Sequence, residues 1–119
     1  KVNGTYSAWF DKGIVEGGAA AYFNGIHPTY DLHAGESETG FGLMRYPELL
    51  DKAQIASLKP NYEGEFLFER IGAGAKDFIE CGAPDAYFGD PAAATAENAD
   101  KQYDVFSDYV VDEVRALLG

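Results

Sequence analysis

Apolar positions recur most regularly near the end of the chain. Ala99, Tyr103, Phe106, Val110, Val114 and Leu117 are spaced by three and four, which lays one apolar stripe along a helix over residues 95–118. Acidic residues fill its other face and Gly119 ends it. Asp90-Pro91 reads as its opening, a capping residue followed by a proline whose missing N–H a helix start leaves unpaired anyway. A second helical pattern covers 37–46, where Phe41 and Met44 keep the same spacing with Arg45 beside them. Ser37 is the expected cap, and Glu38 falls in the first turn, where a negative charge suits the helix dipole. Pro47 ends that helix or starts another, since the residue before a proline avoids the helical region. Residues 47–56 then read as a second short helix with proline at its first position.

Strand patterns are fewer. Residues 2–10 carry Val, Tyr, Trp and Phe, and in 64–71 Phe66, Phe68 and Arg70 alternate with Leu67, Glu69 and Ile71. Residues 19–23 fit a short helical turn. Residues 11–18 and 72–88 read as loops, and 24–31, with its Asn-Gly and His-Pro steps, as irregular chain. The fold class expected is α/β, with helices packed on a mostly parallel sheet. Two or three strands are few for this much apolar surface. The sheet is therefore expected to be completed by an amino-terminal segment not in this chain, and residues 1–119 to be the carboxy-terminal part of a single domain.

Composition narrows the partners. With 46% hydrophobic and 14% aromatic residues the chain can build a packed core. Twenty acidic against nine basic residues give a net charge of −11, which repels phosphate backbones and anionic membranes and so argues against nucleic acid and membrane binding. A single cysteine, Cys81, allows neither an intrachain disulfide nor a thiolate cluster for zinc. A reducing, cytoplasmic setting is the simplest expectation. No apolar run is long enough to span a bilayer. The opening Lys-Val-Asn-Gly-Thr is neither a signal peptide nor a natural start, so a processed or trimmed chain is expected.

Chemistry concentrates in Asp31-Leu32-His33-Ala34-Gly35-Glu36-Ser37-Glu38-Thr39-Gly40. A histidine, a tight Ala-Gly turn and two glutamates bring an imidazole and carboxylates together, a set able to offer a metal an oxygen ligand and to move a proton beside it. Spacing alone also fits an ordinary capped helix with solvated glutamates and a packed histidine. Gly72-Ala73-Gly74-Ala75-Lys76 lacks phosphate-loop spacing and reads as a turn. Cys81 has no evident histidine partner and reads as a buried structural thiol.

His-Ala-Gly-x-x-Glu-Thr at 33–39 resembles the motif of the creatininase (creatinine amidohydrolase) family, with Gly40 where the family usually has Ser. Arg45 to Ala53, containing Pro47-Glu48-Leu49, is similar to the family's continuation. Gly89-Asp90-Pro91-Ala92-Ala93-Ala94-Thr95-Ala96-Glu97 is similar to its Gly-Asp-Pro-x-x-Ala-Thr-x-Glu segment. The resemblance implies a metal-dependent hydrolase acting on a cyclic or linear amide C–N bond, with two divalent metals, zinc or manganese. It implies that His33 relays a proton to the leaving nitrogen and that Glu38 binds a metal or holds one in place. Trp9 would stack on a flat substrate, or else be a core residue.

The family's Glu-x-His stretch and its Gly-His-Gly-Gly-Asn turn are absent from the sequence, and His27, before Pro28, matches no family ligand and reads as a surface loop residue. Two expectations follow. In the first, the chain is one half of a split or processed hydrolase whose amino-terminal half is a separate chain, with a small-molecule amide substrate and an oligomeric assembly. In the second, it is a catalytically inactive interaction or structural subunit of the same family.

Overall fold

The carboxy-terminal stripe forms the longest element of the computed structural model, which describes residues 18–25 and 30–119. In chain order the helices are a 3-10 turn at Ala19–Tyr22, α1 at Glu36–Arg45, a 3-10 turn at Pro47–Leu49 and α2 at Lys52–Ser57. A 3-10 turn at Glu63–Phe66 then leads into α3 at Leu67–Gly72, and another at Pro91–Ala93 precedes α4 at Ala96–Leu118.

The expected sheet is not there. The described residues contain no strand, only two isolated antiparallel bridges, His33 with Phe88 and Asn61 with Gly89, so helices on a mostly parallel sheet is the wrong class for what is described. The strand expected at 64–71 is helical instead. Aromatic and branched residues suit a strand, but a strand with no neighbour leaves its backbone N–H and C=O groups unpaired, whereas the helix pairs them internally. Leu67 reaches the core from that helix, and Phe66, Phe68 and Ile71 stay exposed. The strand expected at 2–10 lies outside the described residues.

The helical expectations hold with shifted ends. Thr95 caps α4, its hydroxyl accepting the Asn98 N–H at 3.1 Å. Asp90-Pro91 opens a separate 3-10 turn rather than α4 itself. Pro47 likewise starts a short 3-10 turn, and α2 begins afresh behind Asp51, whose carboxylate accepts the Gln54 N–H. No described helix is long and apolar enough to cross a membrane.

Two small cores result. In one, Ala19 and Phe106 are buried, with Phe23, Tyr103 and Val105 against them. Gln102, 1% exposed, reinforces it by donating from Nε2 to the Tyr22 carbonyl at 2.8 Å. In the other, Cys81, Ala83 and Phe88 pack with Leu32, Leu67 and Ala75. Helix α1 lies against α4, and Phe41 meets Tyr103 across that contact, ring centroids 4.9 Å apart. Gly40 sits where the two helices touch. A Cβ there would stand 2.9 Å from the Ala99 Cβ, closer than carbon atoms pack, and a tight 3.2 Å from the Thr95 carbonyl oxygen.

Candidate active site

The Ala-Gly turn owes its shape to a buried carboxylate two residues before His33. Asp31 is 8% exposed. It accepts the Glu36 N–H at 2.5 Å and the Ser37 N–H at 3.1 Å, satisfying two donors that the start of α1 would otherwise leave unpaired. Asp31, and not Ser37, is therefore the cap. To reach the helix start from five residues back, the chain must turn sharply between. Ala34 takes a left-handed φ of 49°, and Gly35 presses so closely on Asp31 that a Cβ would overlap Oδ1 and come within 2.7 Å of the Phe88 carbonyl. Gly89, at φ 128°, crowds the same oxygen. The His-Ala-Gly turn and the Gly-Asp-Pro segment thus close around one carboxylate.

Glu36, 2% exposed, anchors the far side. Its two oxygens accept the Asn24 and Gly25 N–H groups at 2.6 and 2.7 Å. Burial pushes the Asp31 carboxyl up to about 6, against the pull of its two backbone donors and with help from Glu38 and Asp90 nearby. Burial also raises Glu36, opposed by its own backbone donors and assisted by Asp31 and Asp90. In both groups desolvation outweighs the hydrogen bonds.

His33 stands at the edge of this construction. Its backbone is held by a reciprocal pair, Phe88 N–H to the His33 carbonyl at 2.8 Å and His33 N–H back to Phe88 at 3.4 Å. Its side chain is exposed and lies against the Phe78 ring, centroids 5.0 Å apart. Glu38, also exposed, turns back to accept the Ala34 N–H at 2.5 Å and so braces the turn.

His33 and Glu38, separated on either side of the Ala-Gly turn, line one cavity of about 730 Å³ together with Asp31, Leu32 and Ser37. The opposite wall is the middle of α4, from Tyr103 and Phe106 through Ser107 to Val110 and Val111. Burial raises the Tyr103 hydroxyl, against a hydrogen bond with Ser37. That volume is typical of a small-molecule site, and its lining pairs acids and an imidazole with an apolar wall.

Two of the expected site residues therefore meet, and one cannot be compared. Trp9 and His27 lie outside the described residues. The α4 wall is not legible in the sequence, because an apolar stripe at helical spacing does not tell a cavity wall from a core. Asp31 and Glu36 fall in the same ten-residue stretch as Glu38, and sequence does not tell which of its carboxylates face inward.

The donor set does not fit a metal centre of its own. No group of three His, Cys, Asp or Glu side chains able to hold a metal occurs among the described residues. Both oxygens of Asp31 and of Glu36 already take backbone N–H groups. Asp31 and Glu36 are thus committed to holding the turn.

No curated protein and no solved structure matches the chain. The creatininase family model, described as creatinine amidohydrolase, matches residues 6–114. A match over nearly the whole sequence makes the chain a member of the creatininase family, with amide hydrolysis the activity that membership suggests.

Proposed function

We propose that this chain is the part of a metal-dependent amidohydrolase that carries the proton donor and one wall of the substrate pocket. The observation behind the proposal is the joint placement of His33 and Glu38 on one cavity in a creatininase-family chain. In this reading water adds to the carbonyl carbon of a cyclic or linear amide. The C–N bond then breaks, and the imidazolium of His33 delivers a proton to the leaving nitrogen. Glu38 keeps the turn closed beneath the imidazole. The metal, zinc or manganese, takes its main ligands from outside the described residues, from an amino-terminal half present as a separate chain. Trp9 as a stacking residue, an oligomeric assembly and a cytoplasmic location belong to the same reading.

Intact mass spectrometry of the native preparation with elemental metal analysis tests the assembly. A second chain of comparable size with stoichiometric zinc or manganese is the expected result. In that assembly His33→Ala should lower creatinine or related amide turnover by about 10²-fold or more, with metal content retained. Unchanged turnover with full metal content in both His33→Ala and Glu38→Gln would remove the role assignment.

A second reading, an inactive interaction or structural subunit, is favoured by the commitment of Asp31 and Glu36 to backbone donors. A lone chain with neither metal nor turnover is what that reading expects.

A further inference from the structure

An imidazole that moves a proton needs a fixed orientation, and a second group usually supplies it by hydrogen bonding to the other ring nitrogen. Among the described residues no hydrogen bond to the His33 ring occurs; its neighbour is the Phe78 ring, tilted by 50° at 5.0 Å. Phe78 is itself held edge-on by the buried Phe88 ring at 5.8 Å, and Phe88 pairs its backbone with His33. The three residues close a loop of contacts: ring to ring, ring to ring, and backbone to backbone.

The segment that carries Phe78 is rigidly built although it forms no regular element. The Ala83 N–H reaches the Phe78 carbonyl at 2.7 Å, and the Cys81 N–H reaches Asp77 at 3.1 Å. Asp77 and Glu80 accept backbone N–H groups from Glu80 and Lys76. Arg70 donates to the Cys81 carbonyl at 2.6 Å, and the Asn61 side chain donates to Gly82 and Tyr87. Cys81 and Ala83 are buried beneath it with Phe88. Phe78 is nevertheless 39% exposed, an aromatic side chain kept near the surface on a stiff support and laid against the histidine.

We infer that Phe78 is a positioning residue for His33, holding the imidazole in one rotamer at the cavity edge. Its importance for turnover rests on the proton-donor reading of His33; its hold on the ring does not.

In a His27→Gln background His33 is the sole histidine, so its proton resonances are read directly in the full 119-residue chain. The wild type and Phe78→Tyr should each show the Hα–Hβ couplings of a single χ1 rotamer, with ring C–H resonances displaced by the neighbouring aromatic ring. In Phe78→Ala, and in Phe78→Leu, which fills the space without a ring, the couplings should average and the displacement should be lost. Backbone amide spectra identify a variant that has failed to fold, and Phe78→Leu then decides. Single-rotamer couplings kept in Phe78→Leu, or averaged couplings already in the wild type, overturn the inference. Where the assembled enzyme turns over creatinine, Phe78→Leu should lower kcat about tenfold with KM within about twofold, and Phe78→Tyr should restore it. A wild type without turnover counts against the amidohydrolase reading alone and leaves the coupling result standing.

Discussion

One apolar stripe runs the length of α4, but its two halves live in different surroundings. Toward its start, Ala99 and Phe106 are 1% and 7% exposed, wedged against Gly40 and Ala19. Beyond the cavity, Val114 and Leu117 are 46% and 50% exposed, and Leu118 is 83% exposed. Sequence spacing is the same in both halves. What differs is whether another of the described segments lies opposite. Amphipathic periodicity therefore reports which face of a helix is apolar, not how much of that face is covered.

The largest effect should come from cutting into the covered half. Phe106→Ala is expected to destabilise the chain by about 3–5 kcal/mol, measured by urea unfolding. A loss under about 1 kcal/mol would mean that the first core contributes little.

Next is the carboxylate at the covered end. Asp31 titrates near 6 in the folded chain, against an ordinary value of 3.8. Between those values the folded state holds more protons than the unfolded chain, so this group's contribution to stability falls as pH rises. The contribution is fully present below about pH 3.8 and lost by the time pH passes about 6, up to roughly 3 kcal/mol. Unfolding curves of wild type and Asp31→Asn across that range should diverge accordingly, the wild type losing stability relative to the variant as pH rises. A difference constant with pH would show that Asp31 is not the titrating group. The smallest effect is expected at the uncovered end, where Val114→Ser should change the stability of the chain alone by no more than about 0.5 kcal/mol. A larger loss would place a contact on that face.

The same distinction explains what could be read in advance. The long helix was legible because six apolar side chains repeat over about five turns. The bend at 34–35 was legible as a turn because of Gly35. The strand expected at 64–71 is helical because a short run of aromatic and branched residues does not say whether a neighbouring strand exists to receive the hydrogen bonds. The cap was misassigned because the usual rule looks one residue before the helix, whereas Asp31 reaches the first amides from five residues away. Glu36 and Glu38 share a first turn but point about 200° apart around it, so one is buried and the other exposed; which of the two faces inward is decided by where the helix packs, here against the 24–25 backbone. The α4 wall of the cavity depends on how α1 crosses α4, which no local pattern encodes.

That crossing gives Gly40 a further meaning. The position stands where α1 meets Ala99 and Thr95, one end of a crossing whose other end is the cleft between Ser37–Glu38 and Tyr103–Val111. A hydroxymethyl or larger group there would act as a wedge beside a fulcrum, prying the helices apart and changing the width of the cleft without altering a single residue that lines it. Glycine, with no side chain, allows the closest approach the two helices can make at that point.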